Sequence, residues 1–284
     1  MKRSAILLIS CPDRPGINSA IADFIFRNDG NTLHADEHQE PEEKLFLMRV
    51  EWDLENFRIA PSEFKEKFAP VAKRFRMKWR LALSDMRPRV AIFVSQHDHC
   101  LVDLLYRHRT GELACDIPCI VGNHPEPQRD AEFHGIAYYY SPVTPKTKAD
   151  VERQQLALLR EKHVDLVVLA RYMQILSPRF VRQYTQRIIN IHHSFLPAFV
   201  GARPHRQAYQ RGVKLIGATA HYVTETLDDG PIIEQDVVRI SHRDTLEDLV
   251  HKGRDLEKVV LSRAVRWHIE SRILVYGKRT VIFD

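Results

Sequence analysis

Four short apolar runs constrain the fold of this chain more than any other feature. Val90-Ala91-Ile92-Phe93-Val94 and residues 117–121, 165–170 and 187–191 are rich in Val, Ile and Leu and do not alternate with polar residues. Strands of that kind are buried on both faces, which calls for a mainly parallel sheet covered by helices. Helices are expected between them, around 101–109, 148–163 and 178–184, and further strands at 216–224 and 232–240. A long helix is expected over 245–271, with Leu246, Leu249, Val250, Leu256, Val260 and Trp267 along one side. Residues 274–283, centred on Gly277, read as a closing hairpin. The second part of the chain is thus expected to be a doubly wound, mostly parallel α/β domain. Ligands of such sheets bind beyond the carboxyl ends of the strands.

The sequence before residue 84 has a different pattern, βαββαβ. Residues 5–9 read as a strand. Asp13 and Arg14 precede Pro15, a residue suited to a helix's first turn, and Ile17, Ile21, Phe24 and Ile25 then recur at helical spacing. Asn28-Asp29-Gly30-Asn31 ends that helix, with Gly30 expected at positive φ. Residues 31–38 and 45–53 read as a hairpin turned at Glu40-Pro41-Glu42-Glu43. Phe64, Phe68, Val71 and Phe75 mark a second helix, and residues 77–83 a last strand. Arg87-Pro88-Arg89 interrupts the pattern, so the boundary is expected near 84–89, with domains 1–85 and 86–284.

Charge divides the chain at the same place. Residues 1–85 carry equal numbers of basic and acidic side chains, so the whole net charge of +5 falls in 86–284. An excess this mild suits a small anionic ligand and argues against a nucleic-acid partner. Hydrophobic residues are 44% and charged residues 28%, which excludes a disordered chain. No apolar stretch approaches the ~20 residues that span a bilayer, so no membrane partner is expected. The opening apolar run reads as a first strand rather than a signal sequence, so a cytoplasmic protein is expected. Cys11, Cys100, Cys115 and Cys119 are too few for a disulfide framework. No second pair stands at zinc-finger spacing behind Cys115 and Cys119, and His97-Asp98-His99 lacks a visible partner, so no metal site is expected.

The densest polar cluster follows the run at 187–191: Asn190-Ile191-His192-His193-Ser194-Phe195-Leu196-Pro197. Asn190 and His192, two apart on an extended segment, project to the same side. An amide donor beside a group that titrates near neutrality can grip a carbonyl oxygen as it becomes an oxyanion and move its proton. The same two residues equally suit a strand-end cap and a hydrogen-bonded core histidine. Thr226-Leu227-Asp228-Asp229-Gly230-Pro231 reads as a turn, yet it follows the polar strand Thr219-Ala220-His221-Tyr222. A carboxylate there can orient a histidine or hold a water. Arg171-Tyr172-Met173-Gln174-Ile175-Leu176 lies just past a strand's carboxyl end, where backbone groups and apolar side chains can hold a flat heteroaromatic ring or simply pack.

Asn190-Ile191-His192 with Ser194-Phe195-Leu196-Pro197, followed by Leu227-Asp228 and Gly230-Pro231, resembles the folate-dependent formyltransferase fold. Cys11-Pro12-Asp13-Arg14-Pro15-Gly16-Ile17 resembles the opening of an ACT domain, a ferredoxin-like βαββαβ unit. Joined to Gly217-Ala218-Thr219-Ala220-His221-Tyr222-Val223, the pair resembles the formyltetrahydrofolate deformylase family over nearly the whole chain. One departure stands in Gly201-Ala202-Arg203-Pro204-His205-Arg206, where the family pattern has Tyr after the Pro and this chain has His205.

The resemblance implies hydrolysis of 10-formyltetrahydrofolate to formate and tetrahydrofolate, which supplies formate for purine synthesis and balances the one-carbon pool. It implies that Asn190 and protonated His192 hold the oxyanion, and that Asp228 keeps His192 charged and positions or deprotonates the water. It lays the pterin ring along Tyr172, Met173, Gln174, Ile175 and Leu176 and along Val223, Thr224 and Thr226. It requires no cofactor; the folate is substrate and product. For the first domain it implies regulation or assembly, with glycine or methionine as effector at Asp13, Gly16, Ile17, Asn18 and Asn31, and a homo-oligomer. Two alternatives remain: transfer of the formyl group to an amine, and a catalytically silent amino-acid or folate sensor. Against transfer to a phosphorylated amine, the loop Ser95-Gln96-His97-Asp98-His99 lacks the glycine of a phosphate cradle.

Overall fold

The structure is a computed structural model and describes residues 3–198 and 204–283. In chain order the elements are β1 (Ser4–Pro12), α1 (Ile17–Arg27), β2 (Asn31–Glu40), β3 (Leu45–Asp53), α2 (Phe64–Phe75), β4 (Lys78–Leu83), β5 (Arg89–Val94), α3 (His99–Thr110), β6 (Asp116–Gly122) and α4 (Gln128–Phe133). There follow β7 (Tyr138–Tyr140), α5 (Lys148–Glu161), β8 (Leu166–Ala170), α6 (Pro178–Gln183), β9 (Ile188–His192), α7 (Pro204–Arg211), β10 (Leu215–Tyr222), β11 (Ile232–Arg239), α8 (Leu246–Ile269), β12 (Ile273–Tyr276) and β13 (Arg279–Ile282). No helix among the described residues is long and apolar enough to cross a membrane.

Two compact units form. The first holds the residues up to Arg87 together with Glu270–Tyr276 and the residues from Thr280 on. Its antiparallel sheet has the order β2-β3-β1-β4. Alternation along β1 and β3 sends Ala5, Leu7, Ile9, Phe46, Met48, Val50 and Trp52 to the face that α1 and α2 cover with Ile17, Ile21, Ile25, Phe64, Phe68 and Phe75. Aromatic rings dominate this layer: Trp52 stacks on Phe64 at 5.6 Å and Phe64 on Phe68 at 5.3 Å. Each such ring, fully buried, contributes roughly 1.5–3 kcal/mol.

Leu8 and Leu47, on the opposite face, pack with Phe283, Leu274, Tyr276 and Val281. The closing hairpin β12–β13 therefore belongs largely to the first unit and not, as its sequence position suggests, to the second. Two local expectations also fail. Pro15 lies before α1, which starts after Gly16 at φ 89. Asp29, not Gly30, takes the left-handed conformation, φ 58. Gly30 is needed for space, because a Cβ there would lie 2.6 Å from Ile25 Cγ2.

The second unit runs from Pro88 to Ile269, with Gly277–Arg279. Its seven-stranded sheet has the order β11-β10-β9-β8-β5-β6-β7. β9, β8, β5, β6 and β7 are parallel, and β10 and β11 add antiparallel strands at one side. β5 and β8 are adjacent, and the chain leaves β5 for β6 on one side and β8 for β9 on the other. The switch point is the crevice beyond their carboxyl ends. The short elements α4, β7 and α7 are absent from the sequence reading, being too brief for a periodic signal. The long helix also differs. Its buried stripe is Leu249, Gly253, Glu257, Val260, Leu261, Ala264 and Val265, so a charged residue lies where the apolar pattern pointed elsewhere.

Candidate active site

Register in the sheet builds the site. β9 pairs antiparallel with β10, placing Asn190 opposite His221 and His192 opposite Thr219. Asn190 Nδ2 donates to His221 Nε2 at 3.2 Å, and His221 Nδ1 donates to the Tyr222 carbonyl at 3.0 Å. These two bonds define a neutral imidazole with its acceptor nitrogen toward Asn190. Burial, outweighing the Tyr222 carbonyl and Asp228, holds the His221 pKa below its ordinary value, in keeping with that tautomer. Thr219 Oγ1 donates to the Ser194 carbonyl at 2.8 Å and accepts from Leu196 N–H at 3.1 Å, which fixes the chain just after His192.

The turn after β10 brings in the carboxylate. Tyr222 N–H donates to the Pro231 carbonyl at 2.9 Å, closing residues 223–230 into a loop. Gly230 lies against the end of β10, where a Cβ would fall 1.7 Å from the Tyr222 oxygen. Asp228 sits at φ 53, a left-handed conformation that Asp tolerates better than most residues. Its Oδ2 lies 3.4 Å from His192 Nδ1 and its Oδ1 3.7 Å from His221 Nε2. The Asp228 side chain is only 8% exposed, yet its pKa lies below the ordinary carboxylate value, chiefly through the hydrogen bond from His192. His192 Nε2 is buried and has no hydrogen-bond partner among the described residues. A buried polar atom left in that state is unfavourable until a partner arrives.

Asn190, His192, His221 and Asp228 line one end of a cavity of about 780 Å³. One wall is Tyr172, Met173, Gln174, Ile175 and Leu176; another is Val223, Thr224 and Thr226, continued by Leu227. The three catalytic candidates and all eight ring-binding candidates thus face the same space. Met173, Ile175 and Leu227 expose more than half of their surface there, while the Tyr172 hydroxyl turns into the core and accepts from Gln155 Nε2 at 3.2 Å. Met173 N–H donates to Ser95 Oγ at 2.9 Å, tying this wall to the end of β5.

A second polar cluster borders the same cavity. His99 Nε2 donates to Glu257 Oε2 at 2.7 Å, and Arg171 Nε lies 3.4 Å from the same oxygen. Burial works to raise the Glu257 pKa, but the His99 hydrogen bond and the charges of Arg171, His99 and His193 outweigh it, so the net shift is downward. His193 and His205 stack at 5.8 Å, with the His205 ring in the gap at Gly253, where a Cβ would meet its Nε2. Burial pushes His193 down to about 3 and lowers His205. His99, Cys100 and Glu257 bring three donor atoms within 4.8 Å of one another. The set suits no cation, because Arg171 sits on its carboxylate and burial raises the Cys100 thiol well above its ordinary value.

Sequence reasoning missed His221, Arg171, His193 and Glu257 as site residues. His221 was visible only as part of a polar strand; the register opposite Asn190 gives it a role. His205 lies against Gly253, where a Cβ would meet its ring; nothing in the structure explains the departure from Tyr, and residues 201–203 of that motif lie outside the described residues. The effector candidates are not brought together within one chain. Asp13, Gly16, Ile17 and Asn18 lie at the end of the first sheet where Asp13 N–H meets the Lys44 carbonyl, and Asn18 bonds Glu37. Asn31 pairs with Asp53, which pairs with Ser4, at the other end. β1 and α1 each run the length of the sheet and separate the two loops.

Residues 88–265 match the family described as formyl transferase. A formyltetrahydrofolate deformylase of Synechocystis sp. is 55% identical over 280 residues, covering 99% of this chain and 98% of the relative. The crystal structure of a formyltetrahydrofolate deformylase from Pseudomonas syringae pv. tomato is 48% identical with TM-score 0.98, covering 100% of this chain and 95% of that one. A glycinamide ribonucleotide transformylase structure from Symbiobacterium toebii is 30% identical with TM-score 0.67, covering 72% of this chain and 98% of its own. With a likeness to deformylases that runs the full length and a likeness to a transformylase that does not, this chain belongs to the formyltetrahydrofolate deformylase family.

Proposed function

We propose that this chain hydrolyses 10-formyltetrahydrofolate to formate and tetrahydrofolate, with Asn190, His192 and Asp228 carrying the reaction. One observation supports the assignment above the rest: an amide, an imidazole and an ionised carboxylate converge at one end of a largely apolar cavity. The pterin ring lies between the wall around Met173 and Ile175 and the wall around Val223 and Leu227, which puts the formyl group at the polar end. Water adds to the formyl carbon. The second N–H of the Asn190 amide and Nε2–H of a His192 imidazolium bind the oxygen as it gains charge. Such donors act best when they are fixed before the reaction, and removing one costs about 2.7–4 kcal/mol of transition-state stabilisation.

His221 is a positioning residue here, because its acceptor nitrogen fixes the Asn190 amide. Asp228 accepts from His192 Nδ1–H and takes the proton of the attacking water. That proton passes to N10 as the C–N bond breaks, leaving formate and tetrahydrofolate. The reaction needs only substrate and water. The βαββαβ unit serves as an ACT-like domain for regulation or assembly of a homo-oligomer. An effector such as glycine or methionine, if held by one chain, uses the loop at 13–18 without Asn31. Calorimetry with each amino acid tests that part; the absence of heat and of any change in kinetics removes it. For the reaction, the test is His192→Ala. Turnover is expected to fall at least about a hundredfold with little change in folate binding, and near-normal turnover overturns the assignment.

A further inference from the structure

Each carboxylate that lines the cavity is already matched: Glu225 with Arg182, Asp228 with His192, and Glu257 with His99 and Arg171. Two basic side chains facing the same space are not. Arg206 of α7 and Arg254 of α8 line the cavity and hold no hydrogen bond or ion pair among the described residues. Arg206 is exposed and Arg254 half-buried, so both have room for a partner. Arg254 lies near His97 and His205, where its charge adds to burial in holding both imidazoles below their ordinary pKa. Those rings stay neutral near pH 7, so the unmatched charge on this side of the cavity is that of the two guanidinium groups. The stripe of α8 that carries Arg254 is otherwise apolar. Leu246, Val250 and Arg254 are four apart, share one face of the helix and all line the cavity. A guanidinium beside apolar surface is less screened than one in open water, and its paired N–H groups fit a carboxylate. The mechanism above uses the ring walls and the end at Asn190, His192 and Asp228, and leaves this face unused.

We propose that Arg206 and Arg254 form a carboxylate-binding subsite on the α7–α8 side of the cavity. The proposal rests on the deformylase reading, which supplies two carboxylates. One is the glutamate of the tail that N10 carries on the side away from the pterin, and Leu246 and Val250 suit the benzoyl ring of that tail. The other is formate, which forms as an anion in this cavity and has to leave it while tetrahydrofolate still fills the ring walls. Both ligands present the same planar group, and one pair of guanidinium groups serves either.

The test is calorimetry on the full chain, which needs no turnover. Two probes are titrated into wild type, Arg206→Gln, Arg254→Gln and the double variant: tetrahydrofolate carrying one or five glutamates, and formate in the presence of saturating tetrahydrofolate monoglutamate. The double variant is expected to bind one of these carboxylates at least about tenfold more weakly than wild type, with the single variants between. Loss of the advantage of five glutamates over one assigns the subsite to the tail. Loss of formate affinity with that advantage kept assigns it to the product. Neither guanidinium has a partner to lose, so the variants are expected to melt as wild type does. Should one fold poorly, Arg206→Lys and Arg254→Lys, which keep the charge without the paired N–H groups, are expected to bind the same probe several-fold more weakly than wild type. Unchanged affinity for both probes in the double variant overturns the proposal, as does a wild-type protein that neither prefers five glutamates nor binds formate. Formate release, measured separately on wild type, tests the deformylase reading on its own.

Discussion

Gly230→Ala is the sharpest probe of how the loop delivers its carboxylate. A Cβ at Gly230 would lie 1.7 Å from the Tyr222 carbonyl oxygen and 2.8 Å from its carbon. A carbon–oxygen contact needs about 3.2 Å or more, so roughly 1.5 Å of overlap must be relieved. β10 cannot yield, because Tyr222 is paired with Ile189 and bonded to Pro231. The loop moves instead, and Asp228, two residues away, moves with it. Overpacking of this kind costs about 1–3 kcal/mol of stability, and a displacement of about 1 Å in a catalytic group can cost on the order of a hundredfold in rate. Formate release measured under substrate saturation is expected to show kcat down by about that factor, with Tm lowered by several degrees. A Gly230→Ala protein with wild-type kcat would show that Asp228 is not held by this contact, or is not needed.

Other consequences follow from the same geometry. His193 has its folded pKa depressed to about 3 by burial, so the unfolded chain binds a proton that the folded one refuses. Stability is therefore lost as pH falls below the unfolded value of about 6.5, down to about 3. His193→Gln is expected to lose less Tm between pH 7 and pH 4 than wild type; an equal loss refutes the assignment, with His97, His134, His205, His221 and Glu257 among the groups that contribute the part remaining in both. Met173→Ala removes apolar surface from the cavity wall; with the ring placed as proposed, that surface serves ground and transition states equally, so steady-state kinetics should show KM raised several-fold and kcat unchanged. In the first unit, Phe68→Ala empties the centre of the aromatic layer, and denaturant melts should register a loss of about 3–5 kcal/mol in that unit.

Sheet, helices and the catalytic candidates could be read from residues because each leaves a local pattern. The unbroken run at 90–94 needs both faces covered, and Asn190 and His192 share a side by strand geometry alone. His221 carries no such mark: its part depends on which residue of β9 it faces. Arg171 and Glu257 break the very rule used to find the core, since buried charges are stable only with partners that lie far away in sequence. Glu257 stands 158 positions from His99. Residues 274–283 read as a hairpin from sequence, but an amphipathic pattern names no partner, and the contact of β12–β13 with Leu8 and Leu47 spans the length of the chain. At 28–31 the sequence marks Gly30 as a helix stop but not its reason, because crowding by Ile25 is a tertiary fact.

The central claim is that water is the formyl acceptor at the end of the cavity where Asn190, His192 and Asp228 meet. Purified protein given 10-formyltetrahydrofolate in ¹⁸O-labelled water, with no amine present, tests it directly. The account predicts formate and tetrahydrofolate in equal amounts, one labelled oxygen in each formate, and loss of that product in His192→Ala. Tetrahydrofolate that appears only when an amine acceptor is supplied, with the formyl group recovered on the amine, or unlabelled formate, would contradict it.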